Sequence, residues 1–299
     1  MEENPLLTLP RPLIEAFFKC AEEEASRAKE RIKELEKRLG WLREKLRFDE
    51  VKEAKKGRVV AVDGSMSAAA SKRLGSEFGI YTAGYMVFEG GELVDEGYVA
   101  GSLSWTEGLR SFRTLLRLMM AYAERKLAME AYWKHSPDYI LLDGPFFYFR
   151  GYCRYVHGTE VNVGGVRTGL DLIRRVRDTT LGLMRTGKAV CVIKRSRIRA
   201  IDGWILRHKG EDACVGTRDK HLMTLLMPQR TIWRYRNLLD EDPIIYASLY
   251  RFYRRWRQFG KSADELREKM DELVEQVRKD LSRKFRLDLD MELGEVPET

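Results

Sequence analysis

The sequence predicts an α/β protein in which helices flank a mixed five-stranded sheet and a helical extension lies at each terminus. One observation is a run of apolar, mostly β-branched residues that leads into Asp-Gly within residues 58–65, and the same pattern returns within residues 139–145. Another is a Gly-Gly pair that joins two further strand-like stretches. An antiparallel meander followed by alternating helices and strands is typical of a mixed sheet with helices on its faces.

Composition narrows the class of protein. The chain has 299 residues, enough for one large domain with helical additions, and 44% of them are hydrophobic. A net charge of +8 favours an anionic partner; nucleic acid is the first candidate, and a generic basic protein is the alternative. The four cysteines form no Cys-x-x-Cys pair, which argues against a zinc site or disulfide framework and indicates a reducing cytoplasm, with a nucleoid-associated location for a DNA-binding protein. We expect neither a signal peptide nor a membrane span.

The N-terminal part, residues 1–56, is predicted to be a helical arm. Between Pro12 and Phe48 apolar residues recur in alternating steps of four and three, which is a heptad seam. The seam consists of Ala21, Ala25, Ala28, Ile32, Leu35, Leu39, Leu42 and Leu46. The arm is either a dimerisation or partner-docking element or a helix that packs back on its own domain, and the pattern favours neither.

The remaining elements follow from local patterns. Strands are predicted at residues 57–63, 78–88, 92–100, 138–143 and 189–193, and helices at residues 106–133, 170–184 and 219–227. Gly90 and Gly91 suit a type I′ hairpin turn, because both central positions of that turn need a positive φ. Residues 158–165 are predicted to form a Gly-rich loop. The sheet domain is predicted to span residues 57–260, followed at residues 261–299 by a charged helix and an acidic tail.

Two acids stand at the predicted ends of neighbouring strands. Asp63 and Asp143 each follow an apolar run, and we expect both strands to be buried on both faces and to end at the acid. Carboxylates at one edge of a sheet repel each other unless a proton or a cation lies between them. Oxygen ligands of this kind suit Mg²⁺ or Mn²⁺.

Helical geometry adds two further acids. Glu124 lies on an apolar stripe of its predicted helix, whereas Glu130 has lysines four residues away on either side and is expected to be a solvated ion-pairing acid. Glu124 is therefore the candidate ligand, and a core-edge Glu paired with an Arg is the alternative. Asp219 has the same apolar surroundings, but it also lies in a first helical turn, where an acid is favoured by the helix dipole. Four carboxylates could hold two metal ions about 3.5–4 Å apart and promote phosphodiester hydrolysis.

Cationic residues provide candidate contacts for a phosphate backbone. Lys194 follows the fifth predicted strand and could stabilise charge on the scissile phosphate, and Arg195, Arg197 and Arg199 extend a basic track; a solvated basic loop is the alternative. Aromatic and basic residues alternate between residues 246 and 256, where Arg254 and Arg255 are candidate DNA contacts. This segment is either a strand-binding channel or a helix whose aromatic residues serve the core.

In their order and rough spacing, these motifs resemble those of the NurA nucleases of archaea and some bacteria. The resemblance covers about residues 57–230. It rests on residues 61–65, the helix that carries Glu124, residues 141–144, residues 192–196, and Asp219 at the head of a Leu-rich helix. The C-terminal helix departs from the family pattern, in which many members end in a strand-like segment.

The resemblance implies an RNase H-like fold over the sheet domain and manganese-dependent (or magnesium-dependent) nuclease activity. The implied function is resection of 5′ DNA ends, with cleavage of single strands as a further activity, in double-strand break repair. It also implies a homodimer and a partner, the hexameric HerA-type ATPase. Residue by residue, Asp63, Glu124, Asp143 and Asp219 correspond to metal ligands and Lys194 to the basic contact.

Two other functions compete with this interpretation. A non-catalytic DNA-binding scaffold on a nuclease-like fold would explain the charge and the helical arms equally well, and it would bind DNA without needing a metal ion. An actin-like phosphotransferase also uses Asp-Gly strands, but it needs two related halves with Gly-rich phosphate turns, and only one half is visible in the sequence.

Overall fold

The computed structural model describes residues 9–52, 57–67, 71–73, 75–105, 109–147, 155–194, 196–260, 265 and 269–279. Internal contacts divide these residues into two units. The helical unit comprises the described parts of Met1–Lys52 and Ser196–Lys284, and the sheet unit comprises the described part of Glu53–Arg195. The predicted domain over residues 57–260 includes parts of both units. Among the described residues, none of the helices combines the length and the apolar character that crossing a membrane requires.

The helical unit begins with α1 (Arg11–Lys45) and β1 (Asp49–Glu50). The sheet unit follows with β2 (Arg58–Met66), β3 (Ser71–Arg73), β4 (Ser76–Glu89), β5 (Glu92–Trp105), α2 (Leu109–His135), β6 (Tyr139–Asp143), β7 (Glu160–Val163), β8 (Val166–Thr168), α3 (Gly169–Arg185) and β9 (Ala189–Val192). The helical unit then resumes with α4 (Ala200–Lys209), α5 (Asp219–Leu226), β10 (Thr231–Ile232) and α6 (Pro243–Gln258). Residues 270–279 form a further helical segment.

The main sheet has the strand order β5–β4–β2–β6–β9, with the short β3 on the same edge of β4 as β2. β4 runs antiparallel to both of its long neighbours, whereas β6 and β9 run parallel to β2. This is the RNase H-like arrangement, and all five predicted strands are present in it. The mixed α/β fold predicted from the sequence is therefore confirmed.

Two turn predictions had different outcomes. Gly90 and Gly91 have φ values of 65° and 98° and join β4 to β5, so the predicted type I′ hairpin is confirmed. The predicted Gly-rich loop at residues 158–165 is wrong for half of its length, because residues 160–163 form β7 and pair with β8. The small hairpin turns at Gly164 and Gly165, which both have positive φ.

One face of the main sheet is covered by helices. Val60 and Val62 of β2 and Leu142 of β6 are buried there with residues of α2 such as Leu127 and Ala128. On the opposite face, the alternate residues of both strands are half-buried or exposed. The prediction that β2 and β6 are buried on both faces is therefore wrong. We call this opposite surface the open face. Its exposed apolar members are Phe78, Ile80, Met86, Tyr98, Tyr139, Val190 and Val192.

The helical unit has its own core. The C-terminal part of α1 contributes Leu39 and Leu42 to a cluster with Ile205 of α4 and Leu222 of α5. α6 packs so closely on α4 that a side chain at Gly203 would overlap the carbonyl group of Tyr246. The N-terminal two thirds of α1 are different, since nearly all residues from Arg11 to Glu34 are exposed. Only the last part of the predicted heptad seam packs back within the unit.

Candidate metal centre

Asp63 and Asp143 lie side by side at the same level of the main sheet. The parallel pairing of β2 with β6 matches Val62 with Leu142, and the two acids are the next residues of their strands. Side chains alternate between faces along a strand, so both acids point to the open face, opposite to Val62 and Leu142. Asp63 is exposed and Asp143 is half-buried. The parallel ladder thus brings together the two acids that the sequence paired.

The sequence predicted that β2 ends at Asp63, and this prediction is wrong. The strand continues to Met66 as an antiparallel partner of β4, with Gly64 opposite Ala83 and Ser65 opposite Thr82. What ends at Asp63 is the pairing with β6, because Gly144 has a φ of 78° and turns the chain away. Asp63 therefore lies where β2 and β6 separate. Its side chain is exposed there, although β2 itself continues.

Gly64 leaves the space that the third acid occupies. A β-carbon on Gly64 would lie 2.8 Å from Cγ of Glu124 and 2.9 Å from Cγ of Met120, and closer still to Oε1 of Glu124. The sequence predicted that the strand ends before this glycine, yet its backbone is extended and paired. Its role is close approach, since only a residue without a side chain lets α2 bring Glu124 to the end of β2.

Glu124 is buried, with 4% of its surface exposed. Burial raises the pKa of its carboxyl group to about 7; the Arg125 guanidinium opposes this shift, and the charges of Asp63 and Asp143 add to it. Asp63 and Asp143 are therefore close enough for their charges to reach the Glu124 carboxyl group. A fully ionised cluster would be unfavourable here without a cation.

Arg125 is a site residue that the sequence analysis missed. Its side chain is 1% exposed, and its Nη1 lies 3.1 Å from Oε2 of Glu124 in a buried ion pair. The alternative interpretation of Glu124, an acid paired with an Arg, thus describes a real contact. Arg125 occupies its own apolar stripe with Ala121 and Ala128, which are fully buried, and this spacing is the signal that could have identified it.

The donor set fits a hard divalent cation. Asp63, Glu124 and Asp143 offer oxygen atoms only, as Mg²⁺ and Mn²⁺ prefer, and the charges of Asp63 and Asp143 reach the buried carboxyl group of Glu124. Within the part of the chain that the structure describes, no three acidic, histidine or cysteine side chains already lie close enough together to surround one ion. Binding an ion at these residues therefore requires their side chains to move closer together.

The predicted basic residues have different surroundings. Lys194 lies just beyond β9, and its Nζ is 3.4 Å from Oδ2 of Asp143, so it is at the edge of the acid cluster. Arg195 lies outside the described residues. In the helical unit, Arg197 is exposed, whereas the Arg199 guanidinium lies 5.7 Å from the centre of the Tyr250 ring. Lys194 thus contacts one of the candidate metal ligands.

Asp219 belongs to the helical unit, and its carboxylate accepts three hydrogen bonds there. Oδ2 accepts from the backbone N–H of Ala200 at 2.8 Å and from the Tyr235 hydroxyl at 2.9 Å, and Oδ1 accepts from the N–H of Ile201 at 3.2 Å. Asp219 therefore satisfies free N–H groups in the first turn of α4, besides beginning α5 itself. Burial raises its pKa to about 6, and these three hydrogen bonds oppose the shift.

The aromatic and basic segment forms α6. Tyr246, Tyr250 and Tyr253 are buried in the core of the helical unit, so these rings are not available to stack on bases. Arg254 and Arg255 are exposed on the other side of the helix. The core interpretation is correct for the buried tyrosines, and DNA binding by the two arginines stays a prediction.

Comparison with known proteins adds a family to this geometry. A family model described as the NurA domain matches residues 57–248, more than half of the chain. A crystal structure of the NurA nuclease from Sulfolobus solfataricus is 17% identical, covers 76% of this chain and 70% of that chain, and has a TM-score of 0.49. A structure of NurA bound to dAMP and manganese is 16% identical, with 89% and 63% covered and a TM-score of 0.30. Endonuclease V of Ciona intestinalis in complex with DNA is 15% identical, with 65% of each chain covered and a TM-score of 0.25. No curated protein matches the chain.

Proposed function

The chain belongs to the NurA nuclease family, and we propose that it is a metal-dependent deoxyribonuclease whose ion ligands are Asp63, Glu124 and Asp143. The observation that carries this proposal is the convergence of the three acids. The pairing of β2 with β6 places Asp63 beside Asp143, and Gly64 lets Glu124 approach the end of β2. Burial chiefly raises the pKa of Glu124 to about 7, Arg125 opposes the rise, and repulsion from Asp63 and Asp143 adds to it. A cation among the three acids would remove this repulsion, which gives them a reason to share a site.

In the proposed reaction, each residue has a separate task. A bound divalent ion would activate a water molecule and stabilise the leaving oxygen of a phosphodiester. Asp63 and Asp143 would hold the ion from the open face, and Glu124, near the middle of α2, would hold it from beside Gly64. Arg125 orients the Glu124 carboxylate through their buried ion pair. Lys194, which contacts Asp143, turns its ammonium group to a phosphate oxygen when substrate binds.

The finer aspects of the proposal follow from family membership. We propose Mn²⁺ as the preferred ion, resection of DNA ends as the activity, a homodimer as the working form, and a HerA-type hexameric ATPase as the partner. The exposed part of α1 supports a docking role, because Leu13, Phe17 and Phe18 are largely exposed on it. Arg195, Arg197, Arg254 and Arg255 are proposed to contact the DNA backbone, and the exposure of the last three agrees with this role.

Asp219 is proposed to act in two ways. As the fourth acid of the family motif it is a candidate ligand, and as the acceptor of three hydrogen bonds it holds the start of α4. An ion would compete with these hydrogen bonds for the same two oxygen atoms. We therefore expect Asp219 to contribute less to ion binding than Asp63, Glu124 or Asp143.

The proposal is tested with isosteric substitutions. Asp63→Asn and Asp143→Asn should each abolish Mn²⁺-dependent degradation of linear DNA, with an unchanged circular dichroism spectrum. Asp178→Asn is the matched control, because Asp178 is an exposed acid of α3 that pairs with Arg177. Normal cleavage by either site variant would end the proposal. If the unaltered protein binds DNA in EDTA but never cleaves it with Mn²⁺, the non-catalytic scaffold replaces the nuclease.

A further inference from the structure

Tyr98 is an aromatic residue on the open face that the proposed reaction does not yet use. It lies in β5, and 64% of its surface is exposed. A β-carbon on Gly84 of the neighbouring strand would lie 2.6 Å from Cδ1 and 2.8 Å from Cε1 of this ring. The ring therefore occupies the position that a side chain at Gly84 would fill. Its hydroxyl donates a hydrogen bond to Oε2 of Glu96 at 2.8 Å, which helps to fix its orientation.

The ring is in line with the acid cluster. Gly84 pairs with Tyr98 on one side and with Asp63 on the other, so the three residues occupy matching positions on successive strands. Adjacent strands are about 4.8 Å apart, which places the ring one strand away from the Asp63 position. Asp143 continues the row on β6, and Lys194 ends it beyond β9. Across the sheet, an aromatic surface, two carboxylates and a cation follow one another.

Packing alone does not account for this ring. On the helix-covered face, Tyr85 lies in the same way over Gly97, and it is buried in the core. Tyr98 covers its glycine from the open face, where most of the residue's surface remains exposed. The cross-strand position explains how the ring is held in place, but not why an aromatic surface is left exposed beside two carboxylates.

We propose that Tyr98 is a stacking platform for a nucleobase, namely the base of the nucleotide whose phosphate lies at Asp63 and Asp143. This inference rests on the proposed nuclease function and specifies how its substrate is held. In a bound single-stranded end, the phosphate lies toward Lys194 and the base lies toward Tyr98. The phosphate is thereby kept away from Glu96, whose negative charge would repel it. Stacking is tolerant of sequence, because every base has an aromatic face. The platform therefore selects an unpaired nucleotide rather than a particular base.

The experiment measures binding to phosphorothioate chains in the presence of Ca²⁺, so that a cation can hold the phosphate at Asp63 and Asp143 while cleavage does not contribute. Fluorescence anisotropy compares a short oligothymidylate with an abasic deoxyribose-phosphate chain of the same length. Tyr98→Leu should weaken binding of the oligothymidylate roughly fivefold to a hundredfold and leave binding of the abasic chain unchanged. Tyr98→Trp should retain tight binding. Tyr139→Leu is the matched control, because Tyr139 is 56% exposed on the same face but lies four residues before Asp143, at the other end of β6.

Two results would overturn the platform. If Tyr98→Leu binds both chains as tightly as the unaltered protein does, the ring does not contact the bases. If it loses the same factor for both chains, the ring has only a structural role. The unaltered protein provides a test that needs no variant, since equal affinity for the oligothymidylate and the abasic chain also excludes base stacking. Each of these results leaves the nuclease proposal standing, because that depends on Asp63→Asn and Asp143→Asn.

Discussion

Gly64→Ala changes one atom position at the centre of the site, and its effect can be worked out from the structure. The new β-carbon would lie 2.8 Å from Cγ of Glu124, whereas ordinary van der Waals contact begins at 3.4 Å. Glu124 is buried and held by Arg125, so the overlap must displace the carboxylate or separate α2 from the sheet. Overpacking of this kind costs about 1–3 kcal/mol. We expect the free energy of unfolding to fall by this amount and Mn²⁺-dependent cleavage to fall at least tenfold.

Gly182→Ala is the control for the Gly64 substitution. Gly182 lies inside α3 of the same unit, and a β-carbon there would meet only Cε and Sδ of Met129, both at 3.8 Å. The same chemical change should therefore stabilise the protein by about 0.5–1 kcal/mol, because alanine favours a helix interior. Urea unfolding followed by circular dichroism measures both changes, and degradation of linear DNA measures activity. A Gly64→Ala protein that is as stable and as active as the unaltered one would refute the close approach of Glu124.

Three further predictions concern side chains around and beyond the site. Arg125→Met should destabilise the protein by about 3–5 kcal/mol, because it leaves a buried acid uncompensated. Adding Glu124→Gln should recover a large part of this loss, measured by urea unfolding. Additive losses from the two substitutions would contradict the buried pair. Asp219→Ala should lower the free energy of unfolding by about 2 kcal/mol, because the N–H groups of Ala200 and Ile201 lose their acceptor. Asp219→Asn should cost less, because an amide oxygen still accepts a hydrogen bond. Equal losses would contradict the capping role. The hydrogen bond from Lys134 chiefly lowers the pKa of Asp95 to about 2, below its ordinary 3.8. Asp95 therefore stabilises the fold above its ordinary pKa and loses this contribution as the pH falls toward 2. The difference in melting temperature between the unaltered protein and Asp95→Asn should narrow over that range. A constant difference would contradict the pairing of Asp95 with Lys134.

The sequence predicted most reliably what local rules determine. The Gly90-Gly91 hairpin follows from backbone sterics alone, and the order of strands and helices follows from apolar periodicity. Asp63 and Asp143 could be paired because both strands carry the same pattern, and neighbouring parallel strands align their ends. Glu124 was identifiable because an acid on an apolar stripe must have a compensating partner or an unusual role.

What the sequence did not predict depends on contacts between distant segments. Gly64 has an extended backbone, so its importance comes from Glu124 on α2, sixty residues later in the chain. Asp219 was predicted to begin its own helix, and it does. Its carboxylate also accepts a hydrogen bond from the start of α4, a contact that no periodicity reveals. Alternation within residues 160–163 is too short to distinguish a strand from a loop beside several glycines. The open face was missed because apolar strand residues indicate burial and do not show which face lacks a covering element.

Anomalous scattering from crystals soaked with Mn²⁺ tests the central claim most directly, because it locates the ion independently of activity. We predict a manganese peak within coordination distance of carboxylate oxygens of Asp63, Glu124 and Asp143, with all three side chains drawn closer together. Crystals of the Asp143→Asn variant should show a weaker peak or none. A fully occupied ion bound elsewhere, with these three acids left without metal, would contradict the account.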